Sequence, residues 1–135
     1  MRAVLDPNIL IAALLCPTGA PAQLVSRWLA GVFELVVSEA LLAELERALA
    51  YPKLRRRVSP EDAALLVDLL RDSAVHAPDP PNPPRRSPNR GDDYLLALAE
   101  SERAVLVTGD QHLRALADEF PIHTARGLLD TLAED

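Results

Sequence analysis

The sequence predicts an α/β fold: a three-layer α/β/α sandwich built on a central, mostly parallel sheet of about five strands. Three observations carry the prediction. Short β-prone apolar runs recur at 2–6, 33–37, 74–77, 104–107 and 121–124. Between them lie segments whose apolar residues repeat at spacings of three and four, as one face of a helix requires. Strands alternating with helices close into a parallel sheet covered on both faces and joined by right-handed crossovers. Finally, a chain of 135 residues, 49% hydrophobic and without internal repeats, suits one domain over 1–135. By size scaling such a domain buries roughly two thirds of its unfolded surface.

The first strand, 2–6, reads RAVLD and ends in Asp6. Pro7 brings the fixed φ favoured at a helix start, so a helix follows over 8–15. Pro17, Gly19 and Pro21 break it. The helix at 20–30 sets Leu24, Val25, Trp28 and Leu29 on one face, which makes Trp28 a core residue rather than a stacking platform. Gly31 ends that helix, and FELVV at 33–37 is the second strand. Ser38 caps a helix running to 49, whose buried stripe is 41, 42, 45, 48 and 49. Glu44 and Glu46 border the stripe on opposite sides, and periodicity does not choose between them. Arg55, Arg56 and Arg57 form a basic run that reads as a solvated face, with contact to RNA phosphate as the alternative.

Ser59, Pro60, Glu61 and Asp62 combine a cap, a first-turn proline and first-turn acids. The helix they open runs to 72 and is expected to bury Leu65, Leu66, Leu69 and Leu70. The strand at 74–77 contains His76, read as structural. From 78 to 90, six prolines and no apolar pattern specify a stiff extended loop, a length often associated with function. It carries Arg85, Arg86 and Arg90 up to Asp92 and Asp93, which open a helix over 92–102 at its positive end. That helix buries Leu95, Leu96, Ala97 and Ala99. After the strand at 104–107, Asp110 opens a helix through 119. A strand at 121–124 and a helix from 125 complete the chain.

Composition narrows the function. The net charge of -6 argues against a broad nucleic-acid-binding surface but permits a narrow one. The lone Cys16 has no internal disulfide partner and is expected to be a small buried hydrophobe. No Cys/His cluster has zinc spacing, and His112 and His123 read as structural or surface residues. No apolar run approaches the roughly 20 residues of a membrane span, and the N-terminus is strand-like rather than signal-like. A cytoplasmic protein without membrane contact is the expectation.

The acids organise the rest. Asp6 and Asp110 end two strands of a parallel sheet, whose carboxyl edge is where such folds hold ligands. Asp92 and Glu44 approach from flanking helices. Helix capping competes as a role for Asp6, Asp92 and Asp110. At about 4 Å and an effective dielectric near 20, each like-charge pair repels by roughly 4 kcal/mol, so a cluster of this kind requires a cation or protons. An all-oxygen donor set suits Mg²⁺ or Mn²⁺, ions that engage phosphate oxygens and activate water for phosphodiester hydrolysis.

The chain resembles a PIN domain, from Val4-Leu5-Asp6-Pro7-Asn8 through Ser38 and Glu44-Leu45 to Asp92 with Ala99 and to Val107-Thr108-Gly109-Asp110. The resemblance reaches to about Leu132 and is greatest to VapC-like ribonucleases, the toxin components of toxin–antitoxin pairs. It rests on four acids in order and in context, not on any single motif. The resemblance implies that Asp6, Glu44, Asp92 and Asp110 are the catalytic, metal-binding acids, selecting Glu44 over Glu46 and Asp92 over Asp93. It assigns Asn8, Ser38 and Thr108 as supporting polar residues, with Asp93 assisting. Two departures bear on rate and metal affinity. Pro7 stands where the family usually has Thr or Ser, and Asn89 stands where close relatives often carry another acid.

The expectation is therefore a Mg²⁺- or Mn²⁺-dependent endoribonuclease, with Arg85, Arg86 and Arg90 as candidate RNA contacts. The resemblance further implies a homodimer and a cognate antitoxin protein that blocks the site. A non-catalytic PIN-like module binding RNA or protein is the alternative. A receiver domain fits poorly, because receivers place an acidic pair after the first strand. A Ser/His/Asp hydrolase fits no better, because Ser38 lacks a nucleophile-elbow context.

Overall fold

The computed structural model describes residues 1–88 and 90–134, with the side chains of Arg90 and Glu134 excepted. Asn89, the second departure noted above, and the Arg90 guanidinium therefore lie outside the described residues. Five strands, β1 (Arg2–Leu5), β2 (Glu34–Val37), β3 (Val75–His76), β4 (Val105–Val107) and β5 (Ile122–His123), form one sheet in the order β3-β2-β1-β4-β5. Every pairing among them is parallel. β1 lies at the centre of the sheet, and its Ala3, Val4 and Leu5 are wholly buried, as a strand covered on both faces requires.

Eight helices cover the sheet among the described residues: α1 (Pro7–Leu15), α2 (Ala20–Leu29), α3 (Glu39–Leu49), α4 (Pro52–Arg55), α5 (Pro60–Ser73), α6 (Asp93–Ser101), α7 (Gln111–Arg114) and α8 (Ala125–Glu134). Helix α1 packs on α2 and α3, and α2 also meets α8, whereas α6 lies against β1 and β4. The strand order explains the division. The chain steps outward from β1 to β2 and β3, then returns past β1 to β4 and β5, so right-handed crossovers of the two halves cover opposite faces. The reversal of direction falls between β1 and β4, where open α/β sheets form their crevice.

Local sequence decides where the elements begin. Ser38 accepts the N–H of Leu41, and Ser59 that of Asp62, each satisfying one of the otherwise orphaned donors of a first helical turn. Trp28 is buried in the core, as its helical face predicts. Four expectations fail. Leu29, set on the same face as Leu24 and Trp28, is exposed at the last turn of α2. Leu65, expected inside, is exposed, because α5 turns mainly Leu66 and Leu70 inward. Cys16 is exposed rather than buried: it is the C-cap of α1, where the chain leaves the core for the surface turn before Gly19. The helix expected to run from Asp110 to 119 stops at Arg114 and continues as turns. Helix α4, which the sequence reading did not anticipate, is a single turn seeded by Pro52.

Candidate active site

Asp6 follows the last residue of β1 and is 5% exposed. Its two oxygens are both engaged. Oδ1 accepts the Asn8 N–H at 3.0 Å, capping α1, and Oδ2 accepts the Thr108 hydroxyl at 2.8 Å. Thr108, wholly buried just past β4, also accepts the Asp110 N–H at 3.1 Å through the same Oγ1. One hydroxyl thus ties together the acids that leave the two strands at the switch point. Asp110 caps α7 through Oδ1, which accepts the N–H groups of His112 and Leu113. Capping and site membership are therefore compatible for Asp6 and Asp110.

Asp92 differs. It occupies the N-cap position of α6, closing a short 3-10 turn at Arg90–Asp92, yet makes no side-chain cap bond. Its Oδ2 is buried without a hydrogen-bond partner among the described residues. Burial first, and then the negative charges of Asp110, Asp6, Glu44 and Asp93, push its carboxyl up to about 6. Burial likewise raises Asp6, with Asp110 adding to it against the lowering by the Asn8 and Thr108 hydrogen bonds.

Glu44 and Glu46, equivalent by periodicity, separate in three dimensions. Glu46 points outward to Arg71 at 2.9 Å. Glu44 acts on Asp92 and accepts the Tyr94 hydroxyl, whose ionisation burial and that carboxylate push well above the usual range. Tyr94 escaped the sequence reading. Its signal was slight: a single aromatic residue, one position after the acid pair, in a helix whose apolar residues are otherwise Leu and Ala.

The supporting residues fall into two groups. Thr108 sits among the acids, Asn8 gives Asp6 its backbone N–H, and Ser38 caps the helix that carries Glu44. Asp93 is buried and turned the other way, its Oδ1 accepting the N–H groups of Arg86 and Ser87 at 3.1 and 2.8 Å. It fastens the proline loop to α6. Arg86 is committed as well, ion-paired to Glu100 at 2.9 Å with its guanidinium 5.1 Å from the Phe120 ring centre. Arg85 is exposed and has no ion pair among the described residues.

Asp92 thus feels Asp6, Glu44 and Asp110, acids drawn from both halves of the chain. Among the described residues they do not close to the spacing of a ready-made metal cage. The donor chemistry nevertheless fits a hard cation: every donor is carboxylate oxygen, and one buried oxygen lacks a partner.

The PIN domain family model matches residues 2–112. The chain belongs to the PIN domain family. This PIN domain is 25% identical over 119 residues to the uncharacterized protein MJ1680 of Methanocaldococcus jannaschii, an alignment covering 88% of this chain and 77% of that protein. Its fold is similar to PAE2754 from Pyrobaculum aerophilum, with a TM-score of 0.69, 24% identity and coverage of 100% and 91% of the two chains. It is also similar to VapBC2 from Rickettsia felis bound to a DNA fragment from their promoter, with a TM-score of 0.66, 15% identity and coverage of 92% and 98%. A third likeness is to VapBC-1 from nontypeable Haemophilus influenzae, with a TM-score of 0.63, 20% identity and coverage of 93% and 99%. These PIN-fold structures share the five-stranded parallel sheet with helices on both sides.

Proposed function

We propose that this PIN domain is a divalent-cation-dependent endoribonuclease and the toxin member of a toxin–antitoxin pair, with Asp6, Glu44, Asp92 and Asp110 as its acids. PIN domains are generally nucleases, which supports hydrolysis of RNA. The observation that carries the reading is the Asp92 carboxyl, with one buried oxygen unpartnered and three further carboxylates acting on it. A fold tolerates that arrangement when a cation or a proton offsets the charge.

The four carboxylates would hold Mg²⁺ or Mn²⁺, which when bound neutralises charge on a phosphodiester and acidifies a water. The chain's own contribution is to fix the donors in advance. Thr108 and the Asn8 N–H orient Asp6, Thr108 also sets Asp110, and Tyr94 aims Glu44. Arg85, and Arg90 with it, would meet the RNA backbone from the proline loop. Likeness to VapBC proteins supports an antitoxin partner, and a homodimer and a cytoplasmic setting go with the same reading. No single helix is long and apolar enough to cross a membrane among the described residues.

The helix-capping bonds of Asp6 and Asp110 favour a second reading, a non-catalytic module that binds RNA or protein and keeps its acids as structural groups. Melting of the wild type and of Asp92→Asn across a Mn²⁺ titration, alongside cleavage of a mixed RNA pool, separates the two. The expected outcome is stabilisation of the wild type, about 2.7 kcal/mol at 100 times the dissociation constant, with both stabilisation and cleavage lost in the variant. A wild type that neither gains stability from Mn²⁺ nor cleaves would leave the non-catalytic reading standing.

A further inference from the structure

The run from Lys53 to Arg57 holds four cations on a chain of net charge -6, and the acidic crevice uses none of them. Lys53, Arg56 and Arg57 are exposed, and no ion pair to a described residue neutralises them. Arg55 gives its Nε to the Ala50 carbonyl at 3.2 Å. The side chains of Arg2, Arg71 and Arg86, by contrast, are each paired with a glutamate. Beside these cations lies a groove of about 920 Å³ whose floor is apolar, Ile11 and Ala48, and whose rim carries Asn8, Tyr51, Lys53 and Arg56.

Its direction is set by the helices. Asn8 stands two residues beyond Asp6 and donates its N–H to that carboxylate. On α3, Ala48 follows Glu44 by one helical turn and so lies on the same face, and Tyr51 comes just past the end of α3, as the N-cap of α4. The groove therefore starts at Asn8, the residue bonded to Asp6, and runs past the turn of α3 after Glu44 toward α4. Tyr51 is 64% exposed, an aromatic face left in water where α4 begins.

We infer that this groove carries the single-stranded RNA leading to the acids, with an unpaired base stacked on Tyr51 and the flanking phosphates held by Lys53 and Arg56. An exposed aromatic ring beside unpaired cations over an apolar floor is the chemistry that binds single strands irrespective of sequence. An acidic crevice repels phosphate unless cations nearby hold the strand, and this run supplies them. The arrangement disfavours duplex, in which the base faces are stacked on one another and unavailable to Tyr51. The inference rests on the ribonuclease reading for its substrate.

The test measures fluorescence anisotropy of a short, mixed-sequence, fluorescein-labelled single-stranded RNA in chelator, so that binding is read without cleavage. Wild type is expected to bind. Tyr51→Ala should weaken binding roughly tenfold, with Tyr51→Phe restoring it. Lys53→Glu with Arg56→Glu should weaken it more and flatten the salt dependence of log K by about 1.4, two phosphate contacts' worth. Arg27→Glu, an exposed charge change on α2, should bind as wild type does. All the substituted side chains are exposed, so folding is not at stake, and circular dichroism checks it. Groove variants that bind like wild type, or a wild type that prefers duplex or binds no RNA, would overturn the inference. Cleavage with Mn²⁺ is assayed separately. Groove-dependent binding without cleavage by the wild type would sink the nuclease reading alone, and cleavage by variants that also bind normally would sink the groove alone.

Discussion

The two ends of β1 present opposite answers to the same problem. At its start Arg2 reaches two glutamates, Glu34 at the head of β2 and Glu102 just before β4, at 3.4 and 3.0 Å. Acids from the head of β2 and the end of α6 meet there, and one guanidinium bridges them. At its finish Asp6 meets Asp110, Asp92 and Glu44, and among the described residues no cation comes to any of them. The same sheet thus carries acids paired with a cation at one edge and acids without one at the other. A structural role alone would leave both edges paired, since an unneutralised buried carboxylate costs stability.

The strongest way to break the contrast is to remove the link between the two acids at the open edge. Thr108→Val leaves Asp6 without its hydroxyl donor and the Asp110 N–H without an acceptor, in a wholly buried position. A loss of about 1–3 kcal/mol in urea unfolding is expected, with weaker Mn²⁺ protection. An unchanged midpoint and unchanged Mn²⁺ response would mean that the hydroxyl does not hold the edge together.

Removing charge there should act in the opposite sense. The folded pKa of Asp92, about 6, lies above its usual 3.8, so the folded chain binds protons that the unfolded chain has released. Its contribution to metal-free stability is therefore lost as pH rises through about 6 and recovered as pH falls toward 4. Allowing for solvent screening at this half-buried site, the effect is about 1 kcal/mol. In chelator, Asp92→Asn should melt a few degrees above wild type at neutral pH, the gap closing as the pH drops through that window. A variant that melts lower at pH 7 would show that the carboxylate is satisfied and the edge closed after all. The smallest effect belongs to the paired end, where Arg2→Ala should cost about 0.5 kcal/mol and leave Mn²⁺ binding untouched.

Much of this was legible in the residues. Strand-ending acids, the Ser38 and Ser59 caps and the Pro7 helix start are local signals, and the structure places each where local chemistry demands. What the sequence could not supply was orientation between distant elements. Periodicity left Glu44 and Glu46 equivalent and only the family resemblance chose between them; the physical distinction is the packing of α3 between Tyr94 on one side and Arg71 on the other. Adjacent Asp92 and Asp93 look interchangeable in sequence, yet successive helical positions point about 100° apart, so one enters the crevice and the other clamps the loop. Arg86 read as free positive charge because Glu100 and Phe120 come beside it only through tertiary contact. Leu65 and Cys16 failed for the same reason, since apolar character does not reveal which faces find a neighbour.

The strand order also has a consequence in time. Asp6 is synthesised well before Val107, the residue whose carbonyl accepts its N–H at 2.9 Å. The crevice requires β4 beside β1, a pairing of segments about a hundred residues apart, and such long-range pairings are slow to form. A chain still emerging from the ribosome carries Asp6 and Glu44 without Asp92 or Asp110. The completed set of acids exists only once Asp110 has emerged, and a chain stopped short of that residue cannot assemble it.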